Sequence, residues 1–359
     1  MNLIVHHNDD DGRCAAAIAY RELVPGGWNW PSRTIFQEYK HGYTIPEAET
    51  DDDLQILKSM KVIVVVDIAF DNEVLKYIKY VCSLCEEKPK IWWIDHHKSS
   101  LNFLDEADDE DAKFIHENID IMFKVGISGA LLTWIVASIP EEHRDEVMAS
   151  ENREFYELAD DRSAVAILNV GGVPRKEVGV PMGIRYIDDW DVWRHTMVET
   201  KYFNLGFSTQ VNKHPQNEVW DKIIYGDLRW LQMTYLKPGE LLYNYQEAQN
   251  KRNMSRAFEV ELPIDLWHSV KLLCLNNTGN SFVFGDKINE YPAVCLFYYD
   301  GVIDAWRYSL YSAEDSDCDV SSIARMYGGG GHEHAAGFTS SVNILRKQPE
   351  KKEESSSES

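Results

Sequence analysis

Apolar residues recur along the chain in two rhythms. Short unbroken runs stand at Leu3-Ile4-Val5, at Val62-Ile63-Val64-Val65-Val66 and at Ile91-Trp92-Trp93-Ile94. An apolar run without polar alternation is what a strand shows when both faces of its sheet are covered. Between these runs lie longer stretches, the Ala-rich 13–23 and 72–85, that read as helices. A further strand is expected at 33–39. The segment Gly126-Ile127-Ser128-Gly129 precedes a helix at 130–137. Strands alternating with helices predict an α/β fold with a doubly wound, mostly parallel sheet.

The pattern loosens downstream. Residues 141–168 look helical in pieces, and 216–257 read as a helical connector punctuated by Pro238-Gly239. Short alternating segments at 270–275, 293–299 and 305–310 then suggest a small mixed sheet, and 321–327 a helix feeding Gly328-Gly329-Gly330-Gly331-His332. The expected organisation is a catalytic domain over 1–200, a helical connector over 201–262 and a smaller α/β domain over 263–342. The tail, 343–359, is rich in Lys, Glu and Ser from 346 onward and is expected to be disordered.

Composition narrows the function classes. A chain of 359 residues, 44% of them hydrophobic, is long enough for two domains. No apolar run approaches the ~20 residues of a membrane span. Met1-Asn2-Leu3 leads straight into a strand, so no signal peptide is expected. Six cysteines in such a chain do not suggest a disulfide framework, and a cytoplasmic location follows. Cys82 and Cys85 form a lone CxxC, for which helix packing is the simpler reading. The net charge of −23 argues against coating long nucleic acid. It leaves room for a short anionic substrate, because divalent cations held by aspartates reverse the local field. The acidic runs 47–53 and 105–111 read as solvated loops or helix ends.

The chemistry gathers where strands end. The first run delivers His7, Asp9 and Asp11; the second, Asp67; the third, Asp95, His96 and His97. Parallel strands place their C-terminal ends on one sheet edge, so these groups should converge. Carboxylates with imidazoles suit Mn²⁺, Mg²⁺, Fe²⁺ or Zn²⁺. Their number exceeds the needs of one ion and fits two, roughly 3.5–4 Å apart, bridged by a shared aspartate. Such a pair activates water and stabilises both oxygens of a phosphoryl displacement.

His7-x-Asp9-x-Asp11-Gly12, Asp67 and Asp95-His96-His97 resemble the signature motifs of the DHH phosphoesterase superfamily. Gly328-Gly329-Gly330-Gly331-His332 with Ala335-Ala336-Gly337-Phe338 resembles the glycine-rich motif of the DHH-associated C-terminal domain. The resemblance covers about 1–195 and 265–340. It implies one metal on His7, Asp9 and Asp67, and a second on Asp11, Asp67, His96 and a further aspartate. For that last ligand the cluster Asp188-Asp189-Trp190-Asp191 is in place, Asp189 being preferred and Asp191 next. His97 would stand near the scissile phosphate as substrate contact or proton donor, and Asp95 would orient a histidine. Gly329, Gly330, Gly331 and His332 would hold a substrate phosphate through backbone N–H groups and an imidazole. In Trp306-Arg307-Tyr308-Ser309-Leu310-Tyr311-Ser312, which resembles the family's Ser-Leu-Arg-Ser segment, Tyr311 replaces the arginine; the readings left open are Arg307 as the substitute contact, Tyr311 stacking on a base, and Arg307 as a strand-surface charge.

The activity thus implied is hydrolysis of short oligoribonucleotides to nucleoside 5′-monophosphates by two-metal-activated water. Mn²⁺ is the usual ion, with Mg²⁺ or another divalent ion as alternatives. Cyclic-dinucleotide or 3′-phosphoadenosine 5′-phosphate hydrolysis stays open, as does a non-enzymatic nucleotide-sequestering module. The expected partner is short single-stranded RNA or a small nucleotide, with no membrane; a homodimer is left open.

Overall fold

The computed structural model describes residues 1–24, 34–40, 45, 50–140, 156–158, 165–168, 176–264 and 268–345. The tail from 346 lies outside them. The chain divides into two compact units, with the boundary between Tyr243 and Asn244.

The first unit is built on a five-stranded sheet. Its strands are β1 (Asn2–His7), β2 (Thr34–Tyr39), β3 (Val62–Val66), β4 (Lys90–Asp95) and β5 (Ile119–Phe123), in the order β2-β1-β3-β4-β5. All four pairings are parallel. Helices α1 (Asp10–Ile18), α2 (Asp51–Lys58), α3 (Asn72–Leu84), α4 (Lys98–Glu106), α5 (Asp109–Asn118) and α6 (Gly129–Ala137) connect or follow them. Successive strand residues point to opposite faces, and each face has its own core. Ile4, Val64, Val66, Trp92 and Ile94 pack with Ala15, Ile18, Leu131 and Ile135 of α1 and α6. Leu3, Val5, Ile63, Val65 and Trp93 pack with Val74, Ile78 and Val81 of α3. Every side chain of β3 is buried, each contributing roughly 1.5–3 kcal/mol. Both faces being covered explains the unbroken apolar runs, and the doubly wound parallel sheet is as expected.

The chain leaves β1 to form β2 on one side and crosses to β3 on the other. The C-terminal ends of β1 and β3 therefore flank the point where strand order reverses, where open α/β sheets leave a crevice.

Downstream, two segments differ from expectation. Within 141–168 the described residues are extended: β6 (Tyr156–Leu158), β7 (Val165–Leu168) and β8 (Lys176–Gly179) form a small antiparallel sheet. Helices α7 (Met182–Asp191), α8 (Thr200–Phe207), α9 (Val219–Ile224) and α10 (Leu228–Leu231) follow, then a π turn at Gln232–Leu236 leading into α11 (Lys237–Met254). Pro238-Gly239 therefore does not interrupt a helix. Pro238 stands in the first turn of α11, where a missing N–H costs least. A Cβ on Gly239 would lie 1.7 Å from the Tyr202 carbonyl oxygen, so glycine is there for close packing on α8.

The second unit has a mixed sheet of β9 (Phe258–Pro263), β10 (Ser269–Asn276), β11 (Ala293–Asp300), β12 (Ala305–Tyr311), β13 (Gly330–His332) and β14 (Ala335–Ser340). Their order is β13-β14-β12-β11-β10-β9. Only β10 and β11 pair in parallel. Helix α12 (Val320–Met326) packs through Val320, Ile323 and Ala324 on the face carrying Cys274, Cys295, Leu310 and Phe338.

Among the described residues the acidic runs fall at helix ends, Asp105 and Glu106 closing α4 and the others opening helices. Thr50 caps α2, with Asp51, Asp52 and Asp53 in its first turn, and Asp108 caps α5, where carboxylates favour the helix dipole. Cys82 and Cys85 are free thiols, and burial raises both, Cys82 to about 11. Among the described residues no helix is long and apolar enough to cross a membrane.

Candidate metal centre

Three strand ends and two helix starts build one acidic cluster. His7 ends β1, and Asp9 caps α1 by accepting from the Gly12 N–H at 2.8 Å. The other Asp9 oxygen meets His7 Nδ1 at 2.5 Å. In the first turn of α1, Asp11 is buried, and both its oxygens accept backbone N–H groups from the start of α6, Gly129 at 2.7 Å and Ala130 at 2.9 Å. The N-terminal end of a helix is a natural partner for a carboxylate.

Asp67 follows β3 with φ of +55°, in a left-handed conformation that a non-glycine residue rarely adopts. Such strain persists where the surroundings hold a side chain for a purpose. Gly129 allows it: a Cβ there would sit 2.6 Å from the Asp67 Cβ. The Asp67 carboxylate is buried, and its two oxygens serve different neighbours. Oδ2 faces His7 Nδ1 at 3.9 Å, while Oδ1 accepts from His96 Nε2 at 2.9 Å. His96 Nε2 is also 3.6 Å from Asp191 and 3.8 Å from Asp11.

These groups form overlapping sets of potential ligands: His7, Asp9 and Asp67; Asp11, His96 and Asp191; and Asp67, His96 and His97. Burial raises Asp67 well above the carboxylate range, and Asp11, Asp9, Asp191 and Asp95 add to it. Asp191 is pushed up to about 9 by burial and then by Asp11 and Asp9. Among the described residues no lysine or arginine pairs with Asp9, Asp11, Asp67 or Asp191. Four crowded carboxylates whose side-chain partners among the described residues are imidazoles fit divalent cations, which supply the missing positive charge.

Asp95 is buried and does not face the cluster as a ligand. It accepts from Ser100 Oγ at 2.5 Å and from His97 Nδ1 at 2.8 Å. Burial alone would lower the His97 pKa, but the Asp95 hydrogen bond and the carboxylates of Asp95, Asp11 and Asp9 outweigh it and raise it. Burial lowers His96 instead.

The three aspartates of α7 separate cleanly. Asp188 is enclosed, accepting from the Ser128 N–H at 2.8 Å and from Arg194 Nη1 at 2.6 Å. The preference for Asp189 as the further ligand is corrected. Asp189 is buried and already accepts from Thr200 Oγ1 at 2.6 Å, Thr196 Oγ1 at 2.8 Å and the N–H groups of Thr196 and Met197. Those bonds hold its pKa below the usual range against burial. Asp191 alone of the three joins a ligand set. The two threonines, four residues apart, were the sequence signal for this role. Ser128, Gly129 and Arg194 were missed as supporting residues, although a Ser-Gly pair before an apolar helix marks an N-cap.

Beside the cluster lies a pocket of about 240 Å³. Asp9, Asp10, Asp11 and Asp191 line it together with Tyr186, Ile187, Trp190, Trp193, Phe203, Asn204 and Phe207. Lys213 holds Asp10 through both oxygens, each at 2.8 Å.

In the second unit, Gly330, Gly331 and His332 form an exposed edge strand, with Gly329 just before it, rather than the expected loop. His332 lies in one row with Ala335 and Tyr311. Arg307 stands four residues along β12 from that row, about 13 Å away, and its Nε donates to Asp300 at 2.6 Å. Arg307 is therefore a strand-surface ion pair here, and Tyr311 shares the row of His332 with Ala335 between them.

No family model matches the sequence. An uncharacterised protein of Acanthamoeba polyphaga mimivirus is 25% identical over 170 residues, which are 44% of this chain and 37% of that protein. The chain thus matches little more than a third of the length of this curated relative. Among solved structures it is similar to the pGpG-specific phosphodiesterase PggH from Vibrio cholerae, 12% identical with a TM-score of 0.42, covering 94% of this chain and 92% of that one. It is similar also to an exopolyphosphatase-related protein from Bacteroides fragilis, 13% identical with a TM-score of 0.36, covering 96% and 87%. The exonuclease RecJ bound to manganese is 13% identical with a TM-score of 0.41, covering 94% and 85%. Overlaps this loose carry no weight beside the chain's own elements. The chain's own elements give a parallel five-stranded α/β unit and a second unit with a mixed sheet, with the His and Asp residues of the three strand ends converging in the first.

Proposed function

We propose that the chain is a metal-dependent phosphoesterase of the DHH type that hydrolyses short oligoribonucleotides to nucleoside 5′-monophosphates. The observation that supports this most is the divided Asp67 carboxylate, with Oδ2 toward His7 and Oδ1 toward His96. A side chain so placed can serve two cation sites at once. His7, Asp9 and Asp67 would hold one ion; Asp11, Asp67, His96 and Asp191 the other. When bound, two divalent cations supply Lewis-acid activation of water and offset charge at phosphorus.

The chain's own residues do the rest. Asp95 accepts the Nδ1 proton of His97, fixing the tautomer so that Nε2 is the nitrogen left for substrate. The raised His97 pKa keeps a proton available for the leaving oxygen. The start of α6 holds Asp11 in place through two backbone N–H groups. The acidic surface, with a net charge of −23, favours substrates small enough to need only a local site.

The test is hydrolysis of a 5′-labelled RNA series, from dimer to 24-mer, with Mn²⁺ and with EDTA. A cyclic dinucleotide and 3′-phosphoadenosine 5′-phosphate run alongside. Metal-dependent mononucleotide release, fastest on the shortest RNA and reduced to background by Asp67→Ala, is expected. Faster turnover of the cyclic or the mononucleotide substrate would replace the proposed substrate. No turnover in any divalent ion would leave a sequestering module.

A further inference from the structure

We propose that the aromatic pocket beside the acidic cluster is a nucleobase subsite, in which Trp190 and Trp193 supply a stacking surface and Asn204 reads the polar edge of the base. The inference rests on the cluster being where the phosphate reacts, since the pocket shares Asp9, Asp11 and Asp191 with it.

Four observations lead to a base as the occupant. Three of the lining carboxylates, Asp9, Asp11 and Asp191, belong to the metal cluster and Asp10 is held by Lys213; the rest of the lining is aromatic or uncharged, with neither lysine nor arginine, and suits an uncharged ring. Trp190 and Trp193 lie nearly parallel, 24° apart with centroids at 6.4 Å, and His195 meets both edge-on at 5.2 and 5.3 Å. Trp193 nevertheless keeps 66% of its surface exposed. A pocket of about 240 Å³ falls below the roughly 300–1,000 Å³ of sites for drug-sized ligands, which matches one nucleoside rather than a dinucleotide. Lastly, Asn204 lines the pocket half-buried, and its carboxamide has no hydrogen-bond partner among the described residues. A carboxamide offers a donor and an acceptor side by side, the pattern that pairs with a base edge.

The backbone adds a reason to regard Trp193 as placed. Trp193 and His195 both have positive φ, +54° and +48°, which bulky residues avoid. The turn is fixed from below by Asp189, whose carbonyl accepts the N–H groups of Arg194 and His195 and whose carboxylate accepts that of Thr196. This gives the buried Asp189 its work: it holds the tryptophan-bearing turn.

The test compares adenosine 5′-monophosphate with ribose 5-phosphate, which differ only by the base, in equilibrium binding to the full-length protein with Mn²⁺. The wild type is expected to prefer the nucleotide by about tenfold or more, as stacking on an aromatic side chain implies. Trp193→Ala should bring the ratio near one, while Trp193→Phe retains most of it. Asn204→Ala should compress the differences among adenosine, guanosine and uridine monophosphates. Equal wild-type affinities, or a ratio that survives Trp193→Ala, would overturn the subsite. If the alanine variant does not fold, the Asn204→Ala ranking decides alone, an unchanged ranking counting against the subsite. A base-dependent preference in a protein that hydrolyses no phosphodiester would retain the subsite and remove the proposed function. RNA hydrolysis with equal affinities would do the reverse.

Discussion

Two positions along an α-helix turn a side chain through about 200°, and Asp189 and Asp191 show the consequence. Asp191 reaches His96, whereas Asp189 spends its carboxylate on Thr196, Met197 and Thr200. Removing the charge from each should therefore fail differently. Asp191→Asn should keep its fold while losing the stabilisation that excess Mn²⁺ gives, about 2.7 kcal/mol at a hundred times the dissociation constant. Asp189→Asn should keep the response to Mn²⁺ but lose about 2–3 kcal/mol of stability, because an amide cannot accept every bond of a buried carboxylate. Denaturant unfolding with and without Mn²⁺ measures both, and the reverse pattern would return the ligand role to Asp189. Sequence spacing alone could not choose between them, because the choice depends on which donors face each side of α7. His6 carries a second residue-scale prediction. It is buried, its Nδ1 donates to the His7 carbonyl oxygen at 2.7 Å, and it lies near Glu38, Arg13 and His214. Burial lowers its pKa to about 4. The unfolded chain then binds a proton below about 6.5 that the folded chain refuses until about 4. Stability from this residue is present above 6.5 and is lost as pH falls to 4, by about 3 kcal/mol. Unfolding free energies of wild type and His6→Gln across that window should differ by this slope; parallel curves would refute it.

At the scale of elements, the start of α6 joins the sheet to the cluster. Ser128 caps the helix by accepting the Leu131 N–H at 3.2 Å, and its own N–H goes to Asp188. The next two N–H groups hold Asp11. Gly129→Ala should push a methyl group against Asp67, at 2.6 Å from its Cβ and 2.9 Å from Oδ1. Overpacking of this kind costs typically 1–3 kcal/mol. Here the atom displaced belongs to the shared carboxylate, so Mn²⁺-dependent activity should fall at least tenfold while the apo protein stays folded. Near-normal turnover would mean that Asp67 does not need this position. The strands that build the cluster were legible because both faces of the sheet are covered, which leaves short runs rich in β-branched and aromatic residues that end abruptly in polar ones. β5 was not: Asp120 breaks its run, and the acidic α5 precedes it. The extended segments β6 and β7 were read as helix, because short apolar runs do not distinguish the two by periodicity. Pro238-Gly239 misled for a different reason. Its role is set by Tyr202, thirty-odd positions upstream in the chain and in contact across a helix packing.

For the whole molecule, the governing quantity is charge. A chain of net charge −23 meets RNA as a like-charged body everywhere except where cations are held. A dimer brings few phosphates and feels that repulsion little; a 24-mer brings many and feels it along its length. Raising ionic strength from about 0.01 to about 0.15 M shortens the screening length from about 30 to about 8 Å, weakening repulsion between distant charges while close contacts at the cluster persist. Hydrolysis of the 24-mer relative to the dimer should therefore rise with salt at fixed Mn²⁺. A protein that gathers RNA on a basic surface shows the opposite, its affinity falling steeply as counterion release loses its advantage. Initial rates on both lengths across a KCl series decide between them. A ratio that falls with salt would point to a basic track for long RNA and would contradict a preference for short substrates grounded in charge. A rising ratio would tie the preference to the field of the whole chain, because neither the divided Asp67 carboxylate nor the aromatic pocket distinguishes a phosphodiester by what lies many nucleotides away.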